Sequence, residues 1–148
     1  IPMIAAGGIC DGRGMAAAFA LGAEAVQMGT RFVSSAESPV HTNFKSAILD
    51  AETTGNYVLN KKASPCIRAL KTERSAAIAE EGRMDFSVMG AIKDLYFGGD
   101  MEASVALAGQ SAGLIDEVKP VDTIINEMVT EFHAISRRLG GLSQSGGF

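Results

Sequence analysis

The chain has 148 residues, 47% of them apolar and 20% charged, and its 13 Lys and Arg against 17 Asp and Glu leave a formal net charge of −4. That balance suits a globular unit with a real core and argues against nucleic-acid or anionic-membrane binding, both of which need a basic patch. No apolar run approaches the about 20 residues that span a bilayer, and two cysteines, Cys10 and Cys66, are too few for a disulfide scaffold or a four-ligand zinc site, so the composition reads as cytoplasmic.

The chain starts at Ile1 on an apolar strand with no polar lead-in, which reads as a larger protein entered midway. Residues 2–6 form a continuous apolar run that Gly7-Gly8 ends, as expected of a strand buried on both faces. Asp11-Gly12 turns the chain into a helix over 13–21, rich in Ala, Met, Phe and Leu, with Gly22 at the C-cap. A second strand follows over 25–29. Strand, helix and strand joined by tight loops predict a βαβ unit and hence a parallel sheet.

Ser38-Pro39 then predicts a helix start, with Val40, Phe44, Ala47, Ile48 and Ala51 on one face and His41 solvated in its first turn. Residues 57–59 and 66–70 suit short strands, 72–81 and 89–97 suit helices, and 101–108 reads as a further short helix. The charged residues of 71–102 read as a solvated helical face. The last element is a helix opened by Pro120, with Val121, Ile124, Ile125, Met128, Val129, Phe132 and Ile135 as its apolar stripe. Arg137 and Arg138 fall in its expected last turn, Gly140 at its C-cap, and His133 beside the stripe. Residues 143–147 have the composition of a flexible tail.

Chemistry points to one edge of the predicted sheet. Gly7-Gly8 and Gly29-Thr30 end neighbouring parallel strands, so their loops open on the same side, where ligands of such sheets bind. Uncovered glycine N–H groups and a Thr hydroxyl suit phosphate oxygens; the alternative is that these glycines serve only tight turns and close packing. No spacing of His, Cys, Asp and Glu suggests a metal site. Arg31 suits either the phosphate or a carboxylate partner.

The segments Ile4-Ala5-Ala6-Gly7-Gly8-Ile9, Asp11-Gly12-Arg13-Gly14, Leu21-Gly22-Ala23 and Val26-Gln27-Met28-Gly29-Thr30-Arg31-Phe32 resemble the FMN-dependent nitronate monooxygenase family, formerly 2-nitropropane dioxygenase, which includes FMN-dependent enoyl-ACP reductases. The likeness continues through Arg68-Ala69-Leu70-Lys71 and Ala108-Gly109-Gln110-Ser111-Ala112-Gly113. It implies an α/β chain that is the C-terminal portion of a TIM (β/α)8 barrel plus a second, mostly helical domain. Residues 1–36 would carry barrel strands seven and eight, 37–118 the second domain, and 119–148 a C-terminal amphipathic helix and tail.

The same resemblance implies FMN as cofactor, touched by Ala6, Gly7, Gly8, Gln27, Gly29 and Thr30, with Gln110 and Ser111 on a loop facing the flavin. Cys10 stands where the family usually has Ala and would line the same mouth. The implied catalytic His belongs to an earlier barrel loop that is absent here. The activity expected is oxidation of alkyl nitronates with O2, a branch that the match over 101–111 favours. The alternatives are reduction of enoyl thioesters with NAD(P)H, an IMP dehydrogenase-like barrel, which residues 27–32 disfavour, and a non-catalytic fragment. The partners expected are a small-molecule substrate and, as a compatible arrangement, further copies of the same chain.

Overall fold

The computed structural model describes residues 1–144 and has an α/β fold. Strands β1 (Ile4–Ala6) and β2 (Ala25–Gln27) pair in parallel, with Ile4 beside Ala25 and Ala6 beside Gln27. Helix α1 (Gly12–Ala20) crosses between them, as the βαβ reading requires. Its first turn is capped by the Asp11 side chain, which accepts the Gly14 N–H at 2.8 Å, and Gly22 follows its end at φ +99°. Only glycine enters that left-handed region without strain.

A short helix not expected from the sequence, α2 (Thr30–Val33), follows β2 directly, with Gly29 at its N-cap. Helix α3 spans Thr42–Leu49 and starts later than Ser38-Pro39 suggested. His41 is its cap, and the half-buried imidazole Nδ1 accepts the Asn43 N–H at 3.1 Å. The ring also packs on buried Gly99, where an added Cβ would lie 2.3 Å from Nδ1. His41 is thus a capping group that stays partly exposed.

Strands β3 (Asn56–Leu59) and β4 (Ile67–Leu70) form an antiparallel hairpin. Helix α4 (Glu73–Glu81) starts at a Thr72/Ser75 capping box, and a 3-10 turn (Phe86–Ala91) leads into α5 (Ile92–Tyr96). The helix expected over 101–108 does not form. Leu107 bridges Ala69, the Leu70 N–H donates to Ala106 O at 2.8 Å, and the segment runs extended along β4. Ser104, Val105 and Ala106 are fully buried there; pairing with the open edge of β4 outweighs the helix preference of the alanines. The charged face of 71–102 is also not wholly solvated, because the Glu102 carboxylate accepts the N–H groups of Glu73 and Arg74 and caps α4.

One apolar cluster gathers Cys10, Phe44, Ile48, Leu70, Leu95, Ala106, Ala108, Ala112 and Ile115; a second, under the hairpin, holds Leu59, Ala69, Met84 and Val105. After a 3-10 turn (Gln110–Leu114), the chain returns as α6 (Val121–Gln144). This helix continues through Gly140, so neither a C-cap there nor a last turn at Arg137 and Arg138 is found. Residues 145–147 of the expected tail lie outside the described residues. The apolar stripe is narrower than expected: Ile124 and Met128 are buried, Phe132 is half-buried with its edge to Phe19 (5.1 Å), and Ile125 and Val129 are exposed.

Helix α6 lies on α1 at backbone contact. The Gly12 N–H donates to Glu131 Oε2 at 2.8 Å, and a Cβ on Gly12 would fall 2.5 Å from the Met128 carbonyl oxygen and 2.6 Å from the Phe132 nitrogen. The obstructing atoms are backbone and cannot step aside. Gly12→Ala is therefore expected to cost about 1–3 kcal/mol, read as a lowered unfolding midpoint; an unchanged midpoint would mean that α6 is not docked this closely.

Candidate functional site

The expected edge exists. Gly7 (φ +93°) and Gly8 (φ +72°) leave the C-terminal end of β1 in backbone conformations that side chains rarely adopt, and both are exposed. A Cβ on Gly7, Gly8 or Gly29 would meet no atom within 4 Å, so their backbones face open space. Ala6 and Gln27 are paired, exposed residues at the ends of β1 and β2. The backbone at these three glycines is approachable without side-chain obstruction.

Thr30 joins this edge to the later part of the chain. Its Oγ1 accepts the Gly109 N–H at 2.9 Å, and α2 packs against the 3-10 turn that begins at Gln110. In that turn Gln110 is exposed and Ser111 buried. A cleft of about 380 Å³ opens beside them, lined by Gly29, Thr30, Val33, Arg68, Leu107 and Gly109. Gly29, Thr30 and the loop before Gln110 are thus brought together. Another cleft, of about 410 Å³, lies among Ala47, Asp50, Glu52, Gly55 and Lys71 and shares no residue with the edge.

Two expected participants lie elsewhere. Arg31 is 7% exposed, and its guanidinium donates to the Glu117 carbonyl at 2.9 Å and the Ser34 hydroxyl at 3.2 Å. It ties α2 to the segment leading into α6. Cys10 does not line the open edge either. It belongs to the apolar cluster and borders a small cavity of about 80 Å³ with Arg31, Met128 and Glu131. Burial and the adjacent Asp11 carboxylate push the thiol up, against the opposing pull of Arg31 and Arg13, which favours its neutral form. Burial also acts to raise the Asp11 carboxyl, but the Gly14 N–H and the Arg13 guanidinium together hold it below the usual carboxylate range. His133 is exposed, its ring against the edge of Phe132. Among the described residues no group of three His, Cys, Asp or Glu could hold a metal ion.

Two residues that no sequence pattern marks for this site also meet here. Asn56, at the start of β3, donates from Nδ2 to the Gly109 carbonyl at 2.9 Å, and Arg68 on β4 donates to Asn56 Oδ1 at 3.2 Å. Arg68 stood inside the resemblance but without a role.

Against known families, residues 1–131 match the model described as nitronate monooxygenase. The chain belongs to the nitronate monooxygenase family. A probable nitronate monooxygenase of Staphylococcus aureus (strain MSSA476) is 30% identical over 145 residues, 91% of this chain but 40% of that protein. The probable nitronate monooxygenase of Staphylococcus saprophyticus is 45% identical over 73 residues, 49% of this chain and 21% of that protein. Among solved structures, FabK from Thermotoga maritima superimposes with a TM-score of 0.88 at 46% identity, covering 95% of this chain and 47% of that one. The nitroalkane oxidase from Streptomyces ansochromogenes gives 0.71 at 26% identity, covering 94% and 41%. The chain thus spans less than half the length of these relatives.

Proposed function

We propose that this chain carries the FMN phosphate site of a longer flavin oxidoreductase of the nitronate monooxygenase type, which oxidises alkyl nitronates with O2. The observation that carries the reading is the shared edge at which Gly7, Gly8 and Gly29 all face open space beside Thr30. That edge fits FMN: its donors are backbone N–H groups and one hydroxyl, which suit phosphate oxygens. Gly7, Gly8, Gly29 and Thr30 would hold the phosphate, Ala6 and Gln27 would border the ribityl chain, and Gln110 and Ser111 would face the ring.

When bound, FMN supplies the redox chemistry; the protein's part is to bind and orient it. In this reading β1 and β2 are strands seven and eight of a (β/α)8 barrel, residues 37–118 form a second domain, and residues 119–148 are a C-terminal unit whose helix α6 returns along α1. The proton-transferring His that the resemblance implies would come from a barrel loop outside these 148 residues. No described helix is long and apolar enough to cross a membrane.

Reduction of enoyl thioesters with NAD(P)H is the second reading. It is favoured by the closer likeness to FabK, 46% against 26% for the nitroalkane oxidase. The experiment is to purify the full-length protein and identify its cofactor by absorbance and mass, with FMN as the expected result. Turnover of propionate 3-nitronate with O2 supports the first reading, and turnover of an enoyl thioester with NAD(P)H the second. A preparation that neither contains FMN nor takes it up overturns both.

A further inference from the structure

Both backbone polar groups of Gly109 are held by residues far away in the chain. Its N–H donates to Thr30 Oγ1 at 2.9 Å, and its carbonyl accepts from Asn56 Nδ2, also at 2.9 Å, beside the local turn bond from the Ala112 N–H at 3.1 Å. Asn56 is itself oriented, because its Oδ1 accepts from the Arg68 guanidinium at 3.2 Å. Arginine only donates and a backbone carbonyl only accepts. A group bridging the two must therefore offer an acceptor on one side and a donor on the other, and the carboxamide does both. At the other end of the relay, a threonine hydroxyl has one proton to give. With Oγ1 accepting the Gly109 N–H, that proton is left to donate to another partner.

We propose that Asn56 is a positioning residue that, through Gly109, holds the Thr30 hydroxyl with its O–H directed at a bound phosphate. This rests on the reading of Gly29-Thr30 as part of the phosphate site. Neither Asn56 nor Arg68 needs to touch the ligand: Arg68 sets the carboxamide orientation, Asn56 holds the Gly109 carbonyl together with the Ala112 N–H, and the Gly109 N–H sets Thr30.

The relay is tested in the full-length protein stripped of flavin, by titration with FMN and with riboflavin, which lacks the phosphate. Asn56→Asp preserves the shape and the Arg68 contact but turns a carboxylate oxygen towards the Gly109 carbonyl, where two acceptors repel. It is expected to weaken FMN about tenfold, the worth of one hydrogen bond to a charged group, and to leave riboflavin unchanged. Thr30→Val should show the same split, and the double variant should lose no more than either single one, since both act on one contact. Asn56→Ala, which adds no charge, should behave alike if the aspartate variant fails to fold.

Equal losses of FMN and riboflavin, additive losses in the double variant, or an Asn56 variant that keeps the full preference for FMN would each overturn the relay while leaving the phosphate site standing. A wild-type protein that holds FMN no more tightly than riboflavin would overturn the phosphate site and the relay together.

Discussion

Leucine at Gly29 is expected to weaken FMN binding by the full-length protein at least about a hundredfold, the loss of two hydrogen bonds to a charged phosphate. The fold should survive. An added Cβ at Gly29 meets no atom within 4 Å, and the residue has negative φ (−107°), so a side chain is tolerated there without strain. Gly7 and Gly8 are less suitable targets, because their positive φ would add backbone strain to any effect on binding. The leucine thus obstructs only the space in front of the backbone. Flavin titration alongside a thermal melt separates the two effects: lost affinity with an unchanged melt is the expected pair, and unchanged affinity removes Gly29 from the site.

Phe44→Ala is expected to destabilise the protein by about 3–5 kcal/mol, measured by denaturant unfolding. Phe44 is 0% exposed, lies among Ile48, Leu70, Leu95 and Ala106, and stacks on Tyr96 with ring centroids 4.8 Å apart. The cluster draws these residues from α3, β4, α5 and the extended segment beyond it, so loss of the ring is felt across several elements. Burial also pushes the Tyr96 hydroxyl up, against a hydrogen bond with the Leu107 backbone that pulls it down, and the ring beside Phe44 stays neutral. A loss below about 1 kcal/mol would mean that the cluster closes over the vacancy.

What the sequence disclosed follows the range of the interactions responsible. The βαβ unit was legible because its punctuation is local: Gly7-Gly8, Asp11, Gly22 and Gly29 each act within a few residues of themselves. The hairpin was visible only as two short apolar runs, since four-residue strands carry little periodicity. Residues 101–108 misled because their alanines favour a helix in isolation, whereas the bridge between Ala69 and Leu107 depends on a strand far earlier in the chain. Helix α6 was clear in kind, but which apolar residues it buries is set by how closely Gly12 lets α1 approach, so Ile125 and Val129 stay exposed.

The site divides in the same way. Its glycines and Thr30 could be picked out by type and position. The Asn56–Gly109 and Gly109–Thr30 contacts join residues 53 and 79 positions apart, and no local pattern marks them. Arg31 and Cys10 follow the two strands, so Arg31 was open to a phosphate or a carboxylate partner and Cys10 was expected at the mouth. The folded chain instead turns Arg31 to the Glu117 carbonyl and Cys10 into the core.

The most direct test of the account is a crystal structure of the full-length protein with FMN bound. The account predicts phosphate oxygens within about 3 Å of backbone N–H groups at residues 7–8 and 29–30 and of Thr30 Oγ1. A phosphate bound elsewhere, on the Arg68 guanidinium or away from this sheet edge, would contradict it.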